Sequence, residues 1–140
     1  MTYALWRSMV FSAAEAGNDA ISGALADADG DGLTNWAEYT LGGLPKDFDS
    51  LSHLPTSSIV TVEGQNYLAL TYTTQNGASE TSCTAQVSGD LATWLSGAPN
   101  AEQFGSPVVN ANGSTTRTFR DTTPLNNASQ RYIRLQMSQQ

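Results

Sequence analysis

A chain of 140 residues with 39% hydrophobic side chains has material for one ordinary domain, or for a β-domain with a short appendage, built around a thin core. Its 13 acidic against 6 basic side chains give a formal charge of −7, and no basic stripe exists to neutralise phosphates, so nucleic acid is not expected as a partner. No apolar run approaches the ~20 residues that span a bilayer, and the single cysteine, Cys83, excludes an internal disulfide.

The N-terminal residues lack the charged, apolar and small-residue succession of a secretory signal. Two expectations stay open: the chain begins inside a larger precursor, or a signal has been removed. In Tyr3 to Val10, Leu5 and Met9 lie one turn apart and Trp6 and Val10 form a neighbouring stripe, which predicts a helix. Ser12-Ala13-Ala14-Glu15 then fits a capping box, with Phe11 placed to cover the turn. Gly17-Asn18-Asp19 is expected to break that second helix. A third helix is predicted from near Thr34 to Leu41, with Leu33, Trp36, Ala37 and Leu41 on one face and Gly42-Gly43 and Pro45 as its stop.

Between the second and third helices stands Asp27-Ala28-Asp29-Gly30-Asp31-Gly32-Leu33-Thr34-Asn35-Trp36-Ala37-Glu38, which matches the EF-hand loop pattern at every defined position. Ca²⁺ wants six to eight hard oxygens in a flexible shell, and alternate residues of a curled loop point inward. Asp27, Asp29 and Asp31 are thus the expected carboxylate ligands, Leu33 a ligand through its backbone carbonyl, and Asn35 a ligand directly or through water. Glu38 is expected to close the shell with both oxygens. Gly32 permits the sharp bend. Without these four acids the formal charge is only −3, and one bound Ca²⁺ would bring −7 to −5. Magnesium, which prefers a rigid octahedron and keeps its waters, fits less well.

Residues 44–56 have no period and two prolines, Pro45 and Pro55, and read as a linker. Asp47 and Asp49 are read there as ordinary linker acids, with extra ligation or a second ion as the alternatives, and His53 as a linker histidine. The hydrophobic period then changes to two. Ser58 to Val62 and Tyr67 to Thr74 are strand-like runs joined by Glu63-Gly64-Gln65-Asn66. Thr81 to Ser88 follows, with Cys83, Ala85 and Val87 on one face. Further strands are predicted around Trp94, at Ser106 to Val109, at Thr115 to Arg120, and at Arg131 to Ser138. In the last, Ile133, Leu135 and Met137 point inward, and Arg134 and Gln136 outward. Leu70, Val87, Phe119, Ile133 and Leu135 are the expected core, with Trp94 largely buried. Such strands suggest an antiparallel Ig-like β-sandwich. The expected organisation is therefore α+β: a helical calcium-loop segment at 1–43, a linker at 44–56 and a β-sandwich at 57–140.

The run from Asp29 to Gly42 resembles the calcium loops of the thrombospondin type 3 and dockerin-like class. The longer arrangement resembles a C-terminal module of large secreted proteins of environmental bacteria, which pairs a Phe-Ser/Thr-x-x-Glu helix start and one such loop with a β-domain. Gln86-Val87-Ser88-Gly89-Asp90-Leu91-Ala92-Thr93-Trp94, Arg120-Asp121-Thr122-Thr123-Pro124-Leu125 and Arg131-Tyr132-Ile133-Arg134-Leu135 are similar to its recurring signatures. The resemblance implies a secreted, extracellular or cell-surface location. Only one loop copy is present, where dockerins carry two, so docking to a cohesin is not expected.

No catalytic constellation is legible. One His cannot build a Ser or Cys triad here, nor a zinc site with one distant Cys, and Cys83 on an apolar strand face reads as an inert thiol. The function expected is a non-catalytic structural or assembly module that contacts host domains or copies of itself. Tyr3, Trp6 and Phe11 offer more apolar surface than three short helices bury alone, and the final strand is a candidate open edge. The alternative is a carbohydrate-binding module, with Tyr72, Trp94, Phe104 and Tyr132 as a stacking platform for polysaccharide.

Overall fold

Two antiparallel sheets with a few short helices make up the computed structural model, which describes residues 1–128 and 130–140. Helix α1 (Tyr3–Val10) starts where the Thr2 hydroxyl accepts from the Leu5 amide. Helix α2 (Ala13–Ala16) carries the reciprocal Ser12–Glu15 capping box. Asn18, expected to break the helix, caps a further turn, α3 (Asp19–Ser22), by accepting from the Ala20 amide. A short polar side chain that ends one helix can start the next.

Helix α4 (Asn35–Leu41) is capped by the Thr34 hydroxyl on the Ala37 amide and ends at Gly42, whose φ of 92° is left-handed. Tyr3, Trp6, Phe11, Trp36 and Tyr39 pack around one another with neighbouring ring centroids 5.2–6.2 Å apart. Trp6 and Phe11 are each only 4% exposed. The Trp6 and Phe11 surface expected to be left open at this end is consumed inside the aromatic cluster, while Leu5 and Met9 on α1 stay exposed.

The cluster is docked on the sheets by polar contacts. The Gln75 amide donates to the Thr40 carbonyl at 3.0 Å, the Ser79 amide donates to the Tyr39 hydroxyl at 3.0 Å, and the Tyr3 amide donates to the Glu80 carboxylate at 2.6 Å. Residues 44–56 include a short helix, α5 (Ser50–His53), where an unstructured linker was expected. The segment is also tied down: Lys46 pairs with Glu15 at 2.6 Å and sits over the Phe11 ring.

The first sheet joins β1 (Thr56–Val62), β2 (Gln65–Thr74), β7 (Thr115–Asp121) and β5 (Ala101–Gln103) in the order β1-β2-β7-β5, with β6 (Val108–Val109) also on β7. The second joins β4 (Leu95–Ser96), β3 (Thr81–Ser88) and β8 (Tyr132–Gln139) in the order β4-β3-β8. Leu70 stands opposite Phe119, and Val87 opposite Ile133. Leu70, Tyr72, Ala85 and Val87 are buried, but Phe119, Ile133 and Leu135 are only half-buried. The second sheet has just two long strands, so it covers less of its neighbour than the expected core required.

Trp94 also departs from expectation. It is half-buried, with the Arg134 guanidinium 4.0 Å over its ring, and so lies on the face to which Arg134 points outward. Arg131 is half-buried and holds the fully buried Asp121 through Nε at 2.6 Å and Nη2 at 2.9 Å. Among the described residues no helix is long and apolar enough to cross a membrane.

Candidate metal centre

Residues 27–33 curl because their own carboxylates accept their own amides. Asp27 accepts from Gly30 at 2.8 Å and from Gly32 at 3.0 Å, Asp29 from Asp31 at 3.1 Å, and Asp31 from Leu33 at 2.9 Å. Such side-chain-to-backbone bonds compete with helix and hold a turn. Gly32 has a φ of 96°, while a Cβ there would meet nothing within 4 Å. The bend therefore needs glycine for its left-handed backbone and not for want of room. The ends of the curl are closed by the Asn35 amide on the Ala26 carbonyl at 2.8 Å and the Trp36 amide on the Ala24 carbonyl at 3.0 Å.

The expected ligands are brought together. One carboxylate oxygen from each of Asp27, Asp29 and Asp31 lies within 4.8 Å of the others, and a second group of the same compactness is formed by Asp31, Glu38 and Asp49. The two groups share Asp31. Leu33 sends its side chain into the protein, 9% exposed, as expected. Asn35 is completely buried; its amide nitrogen donates to the carbonyls of Ile21 at 2.9 Å and Gly23 at 2.8 Å. That fixes the side chain and leaves its oxygen buried with no hydrogen-bonding protein partner.

Glu38 is the feature that most needs explanation. Its side chain is fully buried, yet neither carboxylate oxygen has a hydrogen-bond partner, and the same holds for Asp29 Oδ2 and Asp49 Oδ1. An ionised carboxylate so placed is costly unless something positive completes it. Burial first, and then the charges of Asp29, Asp31, Asp49 and Asp27, push the Glu38 pKa up from 4.5 to about 8. Burial likewise raises that of Asp29, with Asp31 and Asp27 adding to the effect. Part of the enclosure comes from Gly43, where a Cβ would stand 3.1 Å from Glu38 Cγ. Glycine lets the backbone lie directly on the Glu38 side chain.

Asp49 is not the isolated linker acid expected. Its amide donates to Asp31 Oδ2 at 3.2 Å, and its own Oδ2 stands 3.2 Å from His53 Nε2, one turn along α5. Asp47 stays exposed and outside both groups. Spacing carried no signal for Asp49, since it approaches Asp31 from 18 residues away. Elsewhere, Cys83 is half-buried and burial raises its thiol pKa, in keeping with a poor nucleophile. Tyr72, one of the four aromatics weighed as a sugar platform, is 4% exposed and stacks on Phe119 at 6.2 Å, inside the protein. No protein-family model, curated protein or solved structure matches this chain.

Proposed function

We propose that this chain is a non-catalytic, calcium-binding extracellular module whose role is structural: contact between proteins, or anchoring, at a junction stiffened by the ion. The observation that carries the reading is Glu38, completely buried and with two unpartnered oxygens facing a cluster of aspartates. A divalent cation with oxygen preference answers the missing positive charge and the missing partners together. Under this reading the shell comprises Asp27, Asp29, Asp31, the Leu33 carbonyl, Asn35 and Glu38. The loop is EF-hand-like, of the thrombospondin type 3 and dockerin-like class, and the two sheets form an Ig-like sandwich.

Two surfaces support the contact role. Among the described residues strand β8 pairs with β3 alone, and it contains no proline or lysine, so its other edge presents free backbone groups. Phe48 and Leu51, on either side of Asp49, are 77% and 88% exposed. Tyr72, in the interior, is lost to the platform of the polysaccharide alternative, which is left with Phe104, 38% exposed, and the half-buried Trp94 and Tyr132.

Titration calorimetry tests the reading. Calcium should bind with an affinity on the order of micromolar to sub-millimolar, and Asp31→Ala should abolish most of it. Stripping the ion should raise hydrogen exchange around residues 23–41 while the sheets stay protected. Wild-type protein that takes up no calcium at millimolar ion ends the proposal.

A further inference from the structure

We propose that Asp49, which lies outside the loop, is a direct ligand of the same ion, so that calcium clasps the 44–56 segment onto the loop. The inference rests on the calcium reading above and extends it to a residue that no loop pattern includes.

Three observations carry it. The Asp49 carboxylate meets Asp31 and Glu38 with all three ligand atoms inside 4.8 Å. Oxygens bound to one Ca²⁺ at 2.3–2.6 Å can be no more than about 5.2 Å apart, so the group fits a single coordination sphere. Asp49 Oδ1 is buried and has no hydrogen-bonding partner, while Oδ2 stands 3.2 Å from His53 Nε2. One oxygen is thus oriented by a neighbour and the other is left for the ion, the division of labour seen when an outer group positions a ligand. Finally, Glu38 is fully buried with both oxygens unpartnered between the loop and Asp49. The two acidic groups share Asp31, and the proposed ion lies where both meet.

The consequence is mechanical. The 44–56 segment begins beside α4 and leads into β1, so an ion held by Asp49 as well as the loop couples the helical end to the first sheet. The ion would add to contacts already present there, among them the Asp49 amide on Asp31 and the Lys46–Glu15 pair.

The test compares wild type with Asp49→Ala, Asp49→Asn and the exposed control Asp47→Asn. Calorimetry with calcium gives stoichiometry and affinity, and europium luminescence lifetimes in H₂O and D₂O count water on the bound ion. The expected result is one ion per chain, an affinity lowered about tenfold in Asp49→Ala, one additional bound water, and no change in Asp47→Asn. Calcium-dependent hydrogen-exchange protection of residues 44–53 should vanish in Asp49→Ala. Asp49→Asn, which keeps the shape of the side chain, should fall between the two. Wild-type binding with affinity and hydration unaltered in Asp49→Ala overturns the ligand role and leaves the loop reading standing. Equal weakening by Asp49→Ala and Asp47→Asn without extra water reduces Asp49 to background charge and overturns it too. Two ions in wild type and one in Asp49→Ala would overturn the shared ion. No binding by wild type overturns the calcium reading itself.

Discussion

In protein stripped of divalent ions, Glu38→Gln should stabilise the fold at pH 8. Glu38 is fully buried with two unpartnered oxygens, and its pKa is displaced from 4.5 to about 8. Folding at pH 8 must therefore either take up a proton or bury a charge among other carboxylates. A displacement of that size corresponds to roughly 5 kcal/mol. Relaxation and entering water lower the effective penalty, and about 2–4 kcal/mol should be recovered by the neutral glutamine. The folded-state value lies above the unfolded one, so the folded protein binds more protons between them. Stability from neutral Glu38 is complete below about 4.5 and is lost as pH rises through about 8. Stripped wild type should weaken steadily from pH 5 to 8, and Glu38→Gln should do so much less, with Asp29 leaving a residual slope. Asp90 is held down to about 2 chiefly by the Thr93 and Ala92 amides, and its contribution is lost only in stronger acid, outside this window. Calcium should close the gap, and reverse it at a concentration 1,000-fold above Kd, where the ion adds about 4.1 kcal/mol to wild type. At a concentration 100-fold above Kd the ion adds about 2.7 kcal/mol to wild type and little to the variant. Urea unfolding, followed by tryptophan fluorescence from pH 5 to 8.5 with and without calcium, measures all of this. Glu38→Gln less stable than wild type at pH 8 in stripped buffer would refute the argument that the carboxylate lacks a partner.

Two other substitutions probe the scaffold. Thr34→Ala removes the cap on the Ala37 amide; it should cost about 1 kcal/mol in urea unfolding and weaken calcium binding, because α4 carries Glu38. Arg131→Ala strips the bidentate partner from the fully buried Asp121 and should cost about 3–5 kcal/mol. The double variant Asp121→Ala/Arg131→Ala should recover part of that loss, and a double-mutant cycle with no coupling would contradict the pairing.

Local chemistry was readable in the sequence wherever neighbours along the chain settle the outcome. The Ser12–Glu15 capping box, the Thr34 start and Gly42 stop of α4, the alternation of β8, and the gathering of Asp27, Asp29 and Asp31 all depend on residues a few positions apart. Spacing alone determines which of those groups can meet. Tertiary structure decided everything that needs residues from distant segments. It buried Glu38 beneath Gly43, brought Asp49 to Asp31, matched Arg131 to Asp121, and turned Trp94 out under Arg134. It also left Ile133 and Leu135 half-covered, because strand period specifies a face and not how much the opposing sheet will shield. An acid in a Pro-flanked stretch looks the same in sequence whether it faces water or a metal shell. Only the path of the chain, set by α4 and the aromatic cluster beneath it, carries Asp49 back to the loop.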